Sequence, residues 1–212
     1  MLTYHPLLAA ALAICLSSCS AVPLTSLPSL VRIDPRTTDF SVMMVALAAP
    51  RSIRAIEGSV QVEFKSRIDD EPERTDTFGL TLVTAPVDLT DMVGTLREGD
   101  SLTVYALSPE DAFRLNNARD RLIAERAAGH KVKGSIGVIA RSFCQAGGAP
   151  AGDLLVTTYL RTSETRSFVP LVRDFDLASQ PELAASLRTL PPCSSGGAKP
   201  AMASTDASQT RQ

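Results

Sequence analysis

Period-two alternation of apolar and polar residues recurs through the interior of the chain. Val60, Val62 and Phe64 alternate with Gln61, Glu63 and Lys65, the pattern of a strand with one buried face. Phe78, Leu80 and Leu82 alternate with Gly79, Thr81 and Val83, and Leu102, Val104 and Ala106 with Ser101, Thr103 and Tyr105. Ile136 and Val138 alternate with Gly137 and Ile139, while Phe40 to Leu47 is apolar nearly throughout and predicts a buried strand. Leu154 to Leu160 and Phe168 to Val172 complete a set of about seven or eight strands. Turn signals separate them at Asp69-Asp70-Glu71-Pro72, Glu98-Gly99-Asp100 and Gly147-Gly148-Ala149-Pro150. Short strands so spaced predict a mainly β fold: an antiparallel β-sandwich, Ig-like or Greek-key, with one inserted helix.

The helix is marked at both ends. Ser108-Pro109-Glu110-Asp111 offers a Ser N-cap, Pro at the first helical position and acids at the positive end of the dipole, and Gly129 supplies a stop. Glu110 and Arg114 stand four apart in the favourable order for an ion pair. Leu115, Ala118 and Leu122 fall on one stripe, which predicts a helix covering an open end or edge of the sandwich.

The start of the chain sets its address. An apolar run from Leu7 to Leu16 is about 10 residues long, whereas a bilayer-spanning helix needs roughly 20, so the run reads as the core of a signal peptide. It leads into Leu16-Ser17-Ser18-Cys19. That segment resembles the lipobox of bacterial outer-membrane lipoproteins. The resemblance implies cleavage before Cys19, lipidation of its sulfur and a membrane anchor through that lipid. Ser20, where an Asp would imply inner-membrane retention, implies the periplasmic face of the outer membrane. Taken with the tether and the sandwich-like body, the chain resembles envelope lipoproteins of alphaproteobacteria. The organisation read from this is a signal peptide over 1–18, a lipidated tether over 19–37, a β-sandwich domain over 38–193, and a Ser-, Ala- and Gly-rich disordered tail over 194–212.

With Cys15 removed and Cys19 lipidated, Cys144 and Cys193 remain, two thiols in an oxidising compartment, and a disulfide between them is expected. It closes a loop of about 50 residues, worth roughly 4 kcal/mol in the chain-entropy view.

The formal net charge of −2 gives no drive toward nucleic acid. No CxxC spacing or His cluster points to zinc, and no cofactor is implied. The mature chain keeps one histidine, His130, placed where a cation complements the helix dipole. No G-x-S-x-G run accompanies it, so an enzyme is not expected. The cluster Asp69, Asp70, Glu71, Glu73 and Asp76 lacks the spacing of a calcium loop and reads as a solvated hairpin turn. Arg119 and Arg126 flank the apolar stripe. They are the candidate partner-binding residues, able to clamp a carboxylate on a partner or on this chain, where Asp174 and Asp176 are available. Asn116, Arg119 and the following strand resemble, over about 15 residues, the helix region of OmpA-like peptidoglycan-binding domains, but the Thr-Asp and Gly signature of that family is missing and its binding residues are not carried over. The expected function is a lipid-anchored periplasmic binding or assembly module with an envelope protein partner; peptidoglycan attachment is the alternative, and a hydrolase a more distant one.

Overall fold

β1 (Met44–Pro50) is an interior strand of the main sheet, covered on both faces. The structure, a computed structural model, describes residues 33–92, 94–147, 152–180, 184, 186, 187 and 189–193 of the chain. The expected signal peptide, Cys19, most of the tether and the tail lie outside them.

After β1 come β2 (Ile53–Ala55), β3 (Val60–Ile68), β4 (Arg74–Leu82), β5 (Asp100–Leu107), helix α1 (Pro109–Ala127), β6 (Val132–Ala140), β7 (Phe143–Gln145), β8 (Leu155–Arg161) and β9 (Val169–Asp176). Seven strands form one antiparallel curled sheet in the order β6-β3-β4-β5-β1-β8-β9, and β2 pairs with β7 in a second, two-stranded sheet. The run β6-β3-β4-β5 is a Greek key: three consecutive strands, then a fourth that returns by a long connection to lie beside the first. That connection is α1.

The expected mainly β fold with one inserted helix is therefore what the chain adopts. The apolar run at Phe40 divides differently from its expected form. Phe40–Val42 is a 3-10 turn whose start is fixed by Asp39 accepting from the Ser41 N–H at 2.9 Å, and the strand begins at Met44. The turns at Asp69 and Asp100 stand where the Gly, Pro and Asp signals put them.

One face of the sheet carries Val45 and Leu47 of β1, Val62 and Phe64 of β3, Phe78 and Leu80 of β4 and Tyr105 of β5, all buried. Ala112 and Leu115 of α1 are buried against them, and Ala118 and Leu122 pack alongside. The stripe read from the sequence is thus the packing face, and it lies on the sheet's face. The opposite face holds Ala46, Ala48, Val104 and Tyr159 beneath Met92, Val87 and Leu96 of the long β4–β5 connection. Tyr159 keeps its hydroxyl satisfied at 3.2 Å from Thr95 Oγ1. Cover on both sides explains why β1 has no polar alternation.

Helix α1 begins and ends where its residues require. Ser108 Oγ accepts from the Asp111 N–H at 3.0 Å, and Pro109 occupies the first turn. At the other end the Gly129 N–H bonds the Arg126 carbonyl and the His130 N–H bonds the Glu125 carbonyl, both at 3.1 Å, with Gly129 at φ +97°. This is a Schellman motif, which needs a left-handed residue that glycine supplies without strain. The first-turn ion pair differs from expectation: Arg114 takes Asp111 at 2.6 Å, three residues back, and lies over the Phe78 ring at 5.2 Å.

Cys144 of β7 is joined to Cys193, and the Cys193 N–H bonds the Gln145 carbonyl at 2.8 Å. The short sheet is thereby extended by the last described residues.

Leu115 is fully buried at the centre of the helix–sheet contact. Leu115→Ala is expected to cost about 2–5 kcal/mol, read as a shift of the urea midpoint at constant m-value with the disulfide kept oxidised. A loss below about 1 kcal/mol would mean that α1 does not seal this core.

Candidate functional site

At the end of the sheet beneath the second half of α1, charged side chains surround a concavity. A cleft of about 210 Å³ lies between the helix and the β3–β4 hairpin. Phe64 and Ile68 of β3, Pro72 of the turn and Ala118 and Leu122 of α1 give it an apolar lining, and Arg67, Glu71, Arg74, Asp76 and Arg121 stand around it. Alternation brings the hairpin residues there: Ser66 faces Arg74 and Phe64 faces Asp76 in the β3–β4 register, all on the helix side of the sheet. The same alternation puts Arg67 on the other side, so it meets the cleft at its rim.

The charges divide into used and unused. Arg74 grips Asp76 through Nε at 2.9 Å and Nη2 at 2.7 Å, and these hydrogen bonds, with the adjacent charge, raise the guanidinium pKa above its ordinary value. Among the described residues no hydrogen bond or ion pair engages the side chain of Arg67, Arg121 or Glu71, which leaves two positive charges and one negative unpaired. An apolar pocket beside unpaired guanidinium groups can take a carboxylate carried on an apolar body, because the planar fork offers two parallel donors to such a group.

The sequence-predicted candidates are placed differently. Arg119 is turned inward: its side chain is 16% exposed, it donates to the Thr38 carbonyl and through Nε to Asp120 at 2.8 Å, and it lies over the Phe40 ring at 5.6 Å. Arg126 donates through Nη2 to the Val132 carbonyl at 3.1 Å. Their expected internal partners are elsewhere. Asp174 meets Arg97 at 3.3 Å, and Asp176 caps the turn Leu177–Ser179 by accepting from the Ala178 N–H at 2.9 Å. Both arginines thus satisfy backbone carbonyls, acceptors that carry no signature in the sequence. Arg121 was legible in principle, since it falls about 60° beyond Ala118 on the helix, on the side away from Arg119.

The acidic turn is more than a solvated loop. Asp69, in a left-handed conformation at φ +48°, accepts from His130 Nδ1 at 2.7 Å and from the Lys131 N–H at 2.8 Å, while its own N–H bonds the Lys131 carbonyl at 2.7 Å. Glu125 stands 3.8 Å from His130 Nε2. The Asp69 carboxylate thus ties the β3–β4 turn to the α1–β6 junction. The hydrogen bond and charge of Asp69, with Glu125 and Glu71 nearby, raise the His130 pKa above 6.5. The Lys131 N–H and His130 hold the Asp69 carboxyl below its ordinary 3.8.

No group of three or more potential metal ligands occurs among the described residues. No family model matches the chain, and neither a curated protein nor a solved structure is found similar to it.

Both shifts couple the fold to pH. The raised His130 value contributes stability that is complete below 6.5 and is lost as pH rises through the folded value. The lowered Asp69 value contributes stability present above 3.8 and lost as pH falls through the folded value. In an NMR titration the His130 imidazole is expected to titrate above 6.5, and Asp69→Asn to bring it back toward 6.5. An unchanged midpoint in that variant would remove Asp69 as the cause.

Proposed function

We propose that this protein is a non-enzymatic binding module of the bacterial envelope, anchored by a lipid on Cys19 and working through a protein partner that bears exposed carboxylates. The observation that carries the reading is the cleft under α1, where Arg121 stands unpaired beside an apolar lining, with Arg67 at the rim, while Arg119 and Arg126 are consumed by the fold. The cystine supports an oxidising compartment, and the lipobox-like run before Cys19 supports an outer-membrane anchor facing the periplasm. No described helix is long and apolar enough to cross a membrane.

Anchor and partner are tested separately. Metabolic labelling with an alkynyl palmitate analogue is expected to mark the wild type and not Cys19→Ala, and an unlabelled wild type would remove the anchor. For the partner, a photocrosslinker at position 121, in the full chain at native level, is expected to give one dominant protein adduct. Adducts to peptidoglycan fragments would transfer the reading to wall attachment. No adduct would deny the cleft a role.

The disulfide has its own check. Intact mass after thiol blocking without reductant is expected to show Cys144 and Cys193 unmodified, and peptide mapping to join them. Blocked thiols at both positions in protein taken from the envelope would contradict the oxidising address.

A further inference from the structure

Among the described residues β6 is an outer strand, paired only with β3. The pairing is regular from Val60 opposite Ala140 to Ile68 opposite Val132. Just beyond its two ends, the Arg141 N–H bonds the Ser59 carbonyl and the Asp69 N–H bonds the Lys131 carbonyl, which fixes the odd-numbered residues of β6 as the ones that exchange hydrogen bonds with β3. Antiparallel alternation then turns the N–H and C=O groups of the even-numbered residues outward. The first of these carbonyls, on Val132, takes the Arg126 guanidinium. Gly134, Ile136 and Val138 follow, and no described side chain caps them.

The two edges of the sheet are built differently. β9 meets β8 with register shifts around Thr158, contains Pro170, and holds Asp174 at φ +49°. Such irregularity, like proline, is how proteins blunt an edge against strand addition. β6 has neither. Ile136, Val138 and Ala140 are only partly covered on its helix side, so a strand laid alongside would extend that apolar face.

Charge says what kind of strand fits. On the outer face of the sheet Arg67 stands directly opposite Lys133, and Lys65 stands one alternation away opposite Ser135. Among the described residues no carboxylate pairs with any of them, and the neighbouring Glu63 is held by Arg141 at 2.6 Å. Like charges facing each other across a ladder are unfavourable, and a carboxylate on the next strand relieves them. The chain's own outlying segments lack that pattern. Residues 1–32 contain no Asp or Glu, and residues 194–212 contain Asp206 alone beside Lys199 and Arg211.

We propose that the β6 edge accepts an extended acidic segment of a protein partner as an additional strand, with its backbone bonded to Gly134, Ile136 and Val138 and its carboxylates facing Lys133, Arg67 and Lys65. This rests on the reading of the protein as a binding module and names how the partner is held. The edge adjoins the cleft, because Leu122 lines the cleft and also lies over Gly134, 3.3 Å from where a Cβ would stand.

The test uses the full lipidated chain in detergent micelles and amide hydrogen exchange. The probe is a blocked peptide, Thr-Val-Glu-Val-Thr-Val-Glu-Val, with a control in which both Glu are Lys. At about ten times its Kd the Glu peptide is expected to slow exchange at Gly134, Ile136 and Val138 about tenfold, leaving the odd-numbered neighbours unchanged. The Lys peptide is expected to do nothing. Lys133→Glu, an exposed change that leaves the ladder intact, is expected to weaken the Glu peptide about tenfold or more. Equal protection by both peptides, no protection by either, or edge amides already protected in a free protein that sediments as a dimer would each overturn the proposal. A position-121 adduct in cells with no edge protection would sink the strand addition alone, whereas edge protection without that adduct would leave the edge standing and remove the cleft.

Discussion

The architecture depends on a match of lengths. Leu107, the end of β5, lies level with Leu80 of β4, while β6 must start level with Ile68 at the far end of β3. Along β4 that offset is about 8 residues, or about 27 Å at strand rise. Helix α1 has 19 residues, about 28 Å long at helical rise. A single helix lying along the strands therefore spans the Greek-key return, and its Leu115 stripe seals the core on the way. The caps at Ser108 and Gly129 set this length, and the His130–Asp69 contact fixes where the helix hands over to β6. A lost or added turn would shift that junction by about 5.4 Å, more than a hydrogen-bonded register tolerates.

Arginine is allotted unevenly around this frame. Arg119 and Arg126 cap carbonyls that the fold leaves open, at Thr38 before β1 and at Val132 on the edge of the sheet. Arg97 bonds the Leu155 carbonyl at 2.6 Å and pairs with Asp100 and Asp174, holding the β4–β5 connection to β8 and β9. These guanidinium groups do structural work through backbone acceptors, which suits the rigid multi-donor fork better than an ammonium. Arg67 and Arg121 stand apart: among the described residues neither side chain is hydrogen-bonded or ion-paired. Their charge faces outward at the place where helix, hairpin and open strand converge.

What was legible in the sequence follows the strength of the local signal. β3 and the middle of β4 alternate because one face of each is covered, and the helix ends are readable because caps need particular residues. At Phe40–Val42 hydrophobicity alone cannot distinguish a buried turn from a buried strand. The decisive residues there were Asp39 and Ser41, whose side chains bond to each other and cap the turn. β2 and β7, three residues each, are too short to show a period. The charged site was the least legible part. The helical position of Arg121 can be read from the chain, but the Thr38 carbonyl that turns Arg119 inward leaves no mark there.

The small sheet shows how the ends of the described fold are held without a core of their own. A two-stranded pair of three residues is not stable alone. Ile53 and Phe143 instead insert into the main core, and Leu187 and Leu190 of the C-terminal segment pack on the same cluster. Residues 191–193 then add a parallel bridge to β7, with the Gln145 N–H bonded to the Pro191 carbonyl at 2.8 Å, and the cystine makes that contact covalent. The bond spans 49 positions of sequence, so it removes more freedom from the unfolded chain than a local crosslink does, about 4 kcal/mol in the chain-entropy view. Hydrogen bonds this few cannot hold a terminal segment against its own entropy. The disulfide can, and it does so on the small sheet, leaving the β6 edge and the cleft beside it to the main sheet and α1.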